Sequence, residues 1–316
     1  MTALEEKILD TIQDAFPLEE RPYKALAEWF NEQGSVGSVT EQQVFEAVEG
    51  LRNSGVIRRI GGVYDSRRLG FISRLCAGKV PESALNDFAA VVNDIPAITH
   101  NYVRSHEFNV WFTVIAESPE AIQKHVDEVC AKTDLHDVHV LSVTKKFKID
   151  TVMTRGPRTS LRAEQGGAKQ SIAALSDNDR ARIRVACTDI SHTLTPFSDW
   201  GVSVEELRSD IANGFMRRFG AILRHQQAGF AYNAMVCFDA PTDAGAVLAK
   251  SPHVSHCYER PAFEGFPYTL YAMMHAQSAE ELDRQIKEAA ESIGNPDYVV
   301  LRSVRELKKT SFKFFV

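Results

Sequence analysis

The sequence predicts an α+β fold in which one two-part design occurs twice along 316 residues. Three ordered self-matches carry that prediction. RRIGGVYDSRRLGF, Arg58 to Phe71, matches RRFGAILRHQQAGF, Arg217 to Phe230, without a gap. Ile98-Thr-His-Asn-Tyr-Val-Arg104 matches Val254-Ser-His-Cys-Tyr-Glu-Arg260, and SVTKKFK from Ser142 matches SVRELKK from Ser303. Ordered matches with small gaps are the mark of a tandem duplication.

Each copy divides again. Leu4, Ile8 and Ile12 recur at helical spacing, and a second helix is expected from about Pro22 to Phe30. A third follows, with Thr40 as N-cap and Ala47, Val48 and Leu51 along one face, and Gly55 ends it. Val56–Ile60 and Val63–Asp65 flank Gly61-Gly62 and predict a small hairpin. Three helices and a wing make residues 1–66 a winged helix-turn-helix.

From Phe71 the pattern becomes strand, helix, strand, strand, helix, strand. The strands are expected near 71–79, 97–104, 109–116 and 138–146. One helix carries Leu85, Phe88, Ala89 and Val92; the other starts at Ser118-Pro119 and carries Ile122, Val126 and Val129. Residues 67–149 therefore read as a ferredoxin-like βαββαβ domain. DTVMTRGPRTSLRAEQGGAKQ, 150–170, is polar and aperiodic and reads as a linker. Residues 171–225 form a degenerate winged helix, because Ser203 caps a helix but little chain remains for a middle one after Thr195-Pro196. A second βαββαβ domain follows over 226–316, with a capping-box candidate at Ser278…Glu281.

Composition narrows the function classes. Hydrophobic residues make up 44% and charged residues 25%, enough for sizeable cores, and the net charge is −6. No apolar run approaches the roughly 18 residues of a membrane span. MTALEEKILD lacks the basic head and apolar run of a signal peptide. The five cysteines are odd in number and show no CxxC spacing, which predicts reduced thiols and a soluble cytoplasmic protein. Residues 1–56 carry eleven acidic side chains against Lys7, Arg21, Lys24 and Arg52, and the third helix carries Glu41, Glu46 and Glu49. Such a surface repels a duplex, so DNA is not expected as a partner and the heads read as packing modules.

The sharpest chemical signal is His-x-Tyr-x-Arg, at His100/Tyr102/Arg104 and again at His256/Tyr258/Arg260. On a strand, alternate residues share a face, so each set points one way. A titratable imidazole, a phenol and a guanidinium on one face suit a carboxylated ligand. Further cations recur in both copies: Arg58 and Arg59 match Arg217 and Arg218, and Lys145 and Lys146 match the neighbourhood of Lys308 and Lys309. His225 stands where the first copy has Ser66. Phe108, Trp111 and Phe112, then Phe266, Tyr268 and Tyr271, follow the motifs as core or as flat walls. GxSxG, P-loop, HExxH and GxGxxG patterns are absent. His136-x-x-His139 begins a strand, where residues three apart diverge, so no metal site is expected. Cys257 faces Asn101 in the alignment and reads as a buried thiol.

A winged helix followed by βαββαβ resembles the Lrp/AsnC regulators, whose second domain pairs with its counterpart around a small ligand. THNYVRSHEFNVWFTV (99–114), RRFGAILRHQQAGF (217–230) and VSHCYERPAFEGFPYTLYAMMH (254–275) resemble, more narrowly, the siroheme decarboxylase family. That resemblance implies loss of CO₂ from the C12 and C18 acetates of siroheme, giving 12,18-didecarboxysiroheme on the route to heme d1 or to heme by the alternative pathway, with the fused chain resembling the heme d1 version. It implies His100 and His256 as acids, Arg104 and Arg260 as carboxylate anchors, and Tyr102 and Tyr258 as hydrogen-bonding partners. Arg59, Arg218, His225, Lys145, Lys146, Trp111, Tyr268 and Tyr271 complete the expected substrate contacts. No cofactor is expected, since the iron arrives within siroheme. The two halves pair as an internal pseudo-heterodimer, with a homodimer possible and siroheme and its mono- and didecarboxylated forms as ligands. A ligand-sensing Lrp/AsnC-type regulator and a non-catalytic tetrapyrrole carrier are the alternatives.

Overall fold

The computed structural model describes residues 1–34, 36–133, 135–149, 175–224 and 232–315. The expected linker at 150–170 and His225 lie outside the described residues. In chain order the first copy runs α1 (Ala3–Ile12), α2 (Pro22–Gln33), α3 (Glu41–Asn53), β1 (Ile57–Tyr64), β2 (Ile72–Gly78), α4 (Leu85–Asp94), β3 (Ile98–Arg104), β4 (Val110–Ala116), α5 (Pro119–Thr133), β5 (Val138–Leu141) and β6 (Lys145–Ile149). The second runs α6 (Asp177–Ala186), α7 (Val204–Ala212), β7 (Met216–Leu223), β8 (Tyr232–Phe238), α8 (Ala244–Leu248), β9 (Val254–Glu259), β10 (Leu270–Ala276), α9 (Ala279–Ser292) and β11 (Tyr298–Lys309).

Local signals place the helix ends. The Thr40 hydroxyl accepts from Gln43 N while the Gln43 side chain accepts from Thr40 N, closing a capping box on α3. Gly55, at φ +76°, follows the last turn in a left-handed conformation that costs glycine little. Ser203 and Glu206 box α7 in the same way. At α9 the Ser278 hydroxyl accepts from Glu281 N, but the Glu281 carboxylate accepts from Gln277 N, one residue earlier than a capping box requires. No helix lies between α6 and α7 among the described residues, so the second head is short.

The elements pack as two compact units. Among the described residues one gathers 1–70, 175–224 and 313–315, and the other 71–149 and 232–312. In the first unit Ile8, Ile12, Tyr23, Leu26, Phe30, Val44, Val48 and Leu51 form the core of a three-helix head. The expected hairpin at Gly61-Gly62 is not formed. β1 runs straight through both glycines and pairs antiparallel with β7 of the other copy, with Gly61 opposite Gly220. The glycines serve a close approach instead of a turn. A Cβ on Gly61 would stand 2.3 Å from Thr188 O, and one on Gly220 would stand 2.5 Å from Ile12 O. The chain after α6 thereby docks on β1 (Ile190 N to Ile60 O, 3.0 Å), and the chain after α1 docks on β7 (Phe16 N to Phe219 O, 2.8 Å).

The second unit is a nine-stranded sheet in the order β5-β2-β4-β3-β11-β8-β10-β9-β6. The single strand expected at 138–146 is two. β5 pairs with β2 of its own copy, whereas β6 crosses over and pairs with β9. β11 makes the reciprocal exchange without a break: Tyr298–Arg302 pair with β8 and Ser303–Lys309 with β3. Each copy thus lends its last strand to the other, and the two end strands of the order are consecutive in the chain. α4 and α5 cover one core, with Phe88, Phe112, Val114, Ile122 and Val126, and α8 and α9 cover its counterpart. The opposite face carries a third core drawn from both copies, including Ala77, Trp111, Leu141, Cys237, Tyr271 and Leu301.

Candidate functional site

β3 presents His100, Tyr102 and Arg104 on the side of that shared core, while Asn101 and Val103 are buried on the other. β9 and the residue after it do the same with His256, Tyr258 and Arg260. Arg104 is 5% exposed and Arg260 8%. Arg104 Nη1 donates to Leu301 O at 3.0 Å and Arg260 Nη1 to Leu141 O at 2.9 Å, matching carbonyls on the segments that pair within their own copy, just before each exchange. The guanidinium groups lie over Tyr102 (5.2 Å) and over Tyr258 and Tyr271 (5.3 and 5.7 Å). The Nε of each finds no hydrogen-bond partner, and among the described residues neither arginine meets a carboxylate. Burial lowers both pKa values, that of Arg104 to about 10, so both stay charged at neutral pH. A buried cation without an anion is costly, and a ligand carboxylate would relieve it.

The imidazoles lean on their tyrosines, with ring centroids 6.4 Å apart for His100–Tyr102 and 6.3 Å for His256–Tyr258. Each Nδ1 meets the hydroxyl of the preceding residue: Thr99 Oγ1 at 2.9 Å and Ser255 Oγ at 3.0 Å. Trp111 stands opposite Tyr102 in the register and Tyr271 opposite Tyr258. The Trp111 indole N–H donates to Phe108 O at 2.7 Å, which makes it a satisfied core residue. Tyr271 is 2% exposed, its hydroxyl has no hydrogen-bond partner, and burial pushes its pKa far above the ordinary phenol range. Tyr268 is half-buried, edge-on to Phe266.

The other expected contacts divide. Lys146 stands opposite Tyr258 on the exchanged strand β6, Lys145 stands opposite Glu259, and both are exposed. Lys309 stands opposite His100, whereas Lys308 Nζ turns to Asn93 O and Ile95 O at the end of α4. Arg59 and Arg218 belong to the other unit, on its ribbon. Arg218 donates to Gln13 O and Ala221 O, and Arg59 Nη2 donates to Gly62 O at 3.3 Å. His139 stacks on Phe263 at 4.2 Å and meets Asp137 at 2.7 Å. Sequence reasoning missed Thr99 and Ser255. The available signal was a hydroxyl residue directly before the histidine in both copies.

Comparison with known proteins places this geometry. The model of the AsnC-like ligand binding domain matches residues 68–148 and 227–308, and that of the siroheme decarboxylase NirDL-like HTH domain matches 5–58. A siroheme decarboxylase of Hydrogenobacter thermophilus is 32% identical, over 98% of this chain and 94% of its own. The chain belongs to the siroheme decarboxylase family. A siroheme decarboxylase alpha subunit of Desulfovibrio desulfuricans is 41% identical over 47% of this chain and 82% of its own length. The family therefore includes separate subunits as well as chains that, like this one, carry both copies. Among solved siroheme decarboxylases, NirDL in co-complex with an iron-uroporphyrin III analogue superposes with a TM-score of 0.69. It is 28% identical and covers 99% of this chain and 95% of its own.

Proposed function

We propose that this chain decarboxylates siroheme, removing the C12 and C18 acetates to give 12,18-didecarboxysiroheme on the heme d1 route. The observation that carries the reading is the pair of buried, carboxylate-free arginines, Arg104 and Arg260, each beside a histidine and a tyrosine on one face. An acetate on a pyrrole loses CO₂ when the electron pair left behind can enter the ring. Protonation of the macrocycle beside that carbon supplies the sink. The exocyclic methylene then takes a proton to become methyl, and the ring proton is released. Each event therefore consumes one proton and one acetate and yields one methyl and one CO₂, with no oxidant.

His100 and His256 are the acids in this scheme, a role worth roughly 10²–10⁴-fold. Arg104 and Arg260 orient carboxylates, Tyr102 and Tyr258 hydrogen-bond the substrate, and Tyr271 offers an unused hydroxyl beside Arg260. Lys146, opposite Tyr258 on β6, meets an outer carboxylate and Tyr268 offers a flat wall, whereas Lys145 stands opposite Glu259 on the other face and Trp111 is core. Arg59 and Arg218 turn to backbone carbonyls of their own unit and have no substrate role in this scheme. A regulator finds less support: Arg52, the cation of the would-be recognition helix, is buried against Glu49 and Asp189. Anaerobic incubation with siroheme, followed by mass spectrometry of the extracted tetrapyrrole, tests the proposal. Loss of the mass of two CO₂ is expected; siroheme returned intact would overturn it in favour of a carrier.

A further inference from the structure

The two copies share a local irregularity that alternation along a strand does not anticipate. In β3 the register steps from Ile98↔Val114 to His100↔Thr113, which leaves Thr99 as an extra residue. In β9 it steps from Val254↔Met274 to His256↔Met273, which leaves Ser255 extra. Both are β-bulges, a device that re-aims side chains beside functional sites. Each bulge turns a hydroxyl onto the Nδ1 of the histidine that follows.

The two hydroxyls are not equivalent. Ser255 Oγ donates its only proton to Met273 O at 3.1 Å, because a carbonyl can only accept. Toward His256 it can therefore only accept, so Nδ1 carries the hydrogen and Nε2 of the neutral ring carries none. Thr99 is 1% exposed, and His100 Nδ1 is the sole partner of its Oγ1 among the described residues. A buried hydroxyl proton left unpaired costs about 1–3 kcal/mol, so it points to Nδ1 and the neutral ring presents Nε2–H. His100 stands opposite Thr113 and Lys309. His256 stands opposite Met273 and Ile149, with Lys146 two pairs along, opposite Tyr258.

We infer that Ser255 and Thr99 are positioning residues that fix the two motif histidines in opposite tautomers. His100 then donates a hydrogen bond to a carboxylate while neutral, and serves as an acid from its protonated form. His256 takes up a solvent proton at Nε2 and passes it to the methylene left by CO₂, which restores the neutral ring. This assignment of roles rests on the decarboxylase reading; the tautomers themselves do not.

Long-range ¹H–¹⁵N correlation spectra of the full chain labelled in histidine, assigned with His100→Gln and His256→Gln, read the tautomers directly. His256 is expected with Nδ1 protonated and His100 with Nε2 protonated. Ser255→Ala should convert His256 to the Nε2–H form and lower kcat for siroheme by about tenfold or more with KM little changed. Ser255→Thr should recover both. An Nε2–H signature for wild-type His256, or no change in Ser255→Ala, would overturn the inference. Opposite tautomers in a protein that leaves siroheme intact would uphold the tautomers and defeat the decarboxylase reading alone.

Discussion

Arg104 and Arg260 are held in the folded protein at a cost that the free chain gains nothing from. Replacing a buried charge by an apolar side chain of similar volume is often stabilising, by about 1–4 kcal/mol. Arg260→Met is accordingly expected to raise the melting temperature while weakening siroheme binding by tenfold or more, read by absorbance titration. A lowered melting temperature would mean that the guanidinium is a structural strut. The motif itself was legible in the sequence, because His-x-Tyr-x-Arg occurs twice and alternation puts three side chains on one face. The role of Thr99 and Ser255 was not, since alternation sends adjacent residues to opposite faces and a bulge is not written in hydropathy.

At the level of elements, the helices and their caps were readable from local chemistry, but strand partners were not. Gly61-Gly62 reads the same whether it serves a turn or a close approach, and here it admits Thr188 O. Gly61→Ala is expected to destabilise by about 1–3 kcal/mol in denaturant unfolding, as overpacking against backbone does. The ribbon also carries Asp65. Burial opposes its ionisation, yet Arg217 and the N–H groups of Arg67 and Arg68 outweigh burial and hold its pKa below the usual value. A depressed carboxyl contributes stability that is present above its unfolded pKa and lost as pH falls through the folded one. Unfolding followed below about pH 4 should thus show a smaller acid loss in Asp65→Asn than in the wild type. The lysines of the exchanged strands act across copies. Lys308 closes the end of α4 and Lys148 donates to Ser251 O just after α8. Lys308→Met is expected to cost about 1 kcal/mol, measured in the same unfolding experiment.

On the scale of the whole chain, the duplication and the α+β class were plain from three self-matches, and the short second head followed from counting residues. The acidic first head predicts no measurable duplex binding at physiological salt, and a salt-dependent shift in fluorescence anisotropy would contradict it. What the sequence did not disclose is the exchange of final strands, because 138–146 has one hydropathic pattern whether it stays home or crosses over. That exchange makes covalent continuity between the copies dispensable. A chain nicked by protease between residues 149 and 175 should yield two polypeptides that co-elute on a sizing column. Their separation would require β6 to be stripped from β9 and β11 from β3, so dissociation and unfolding of the sheet should be one event.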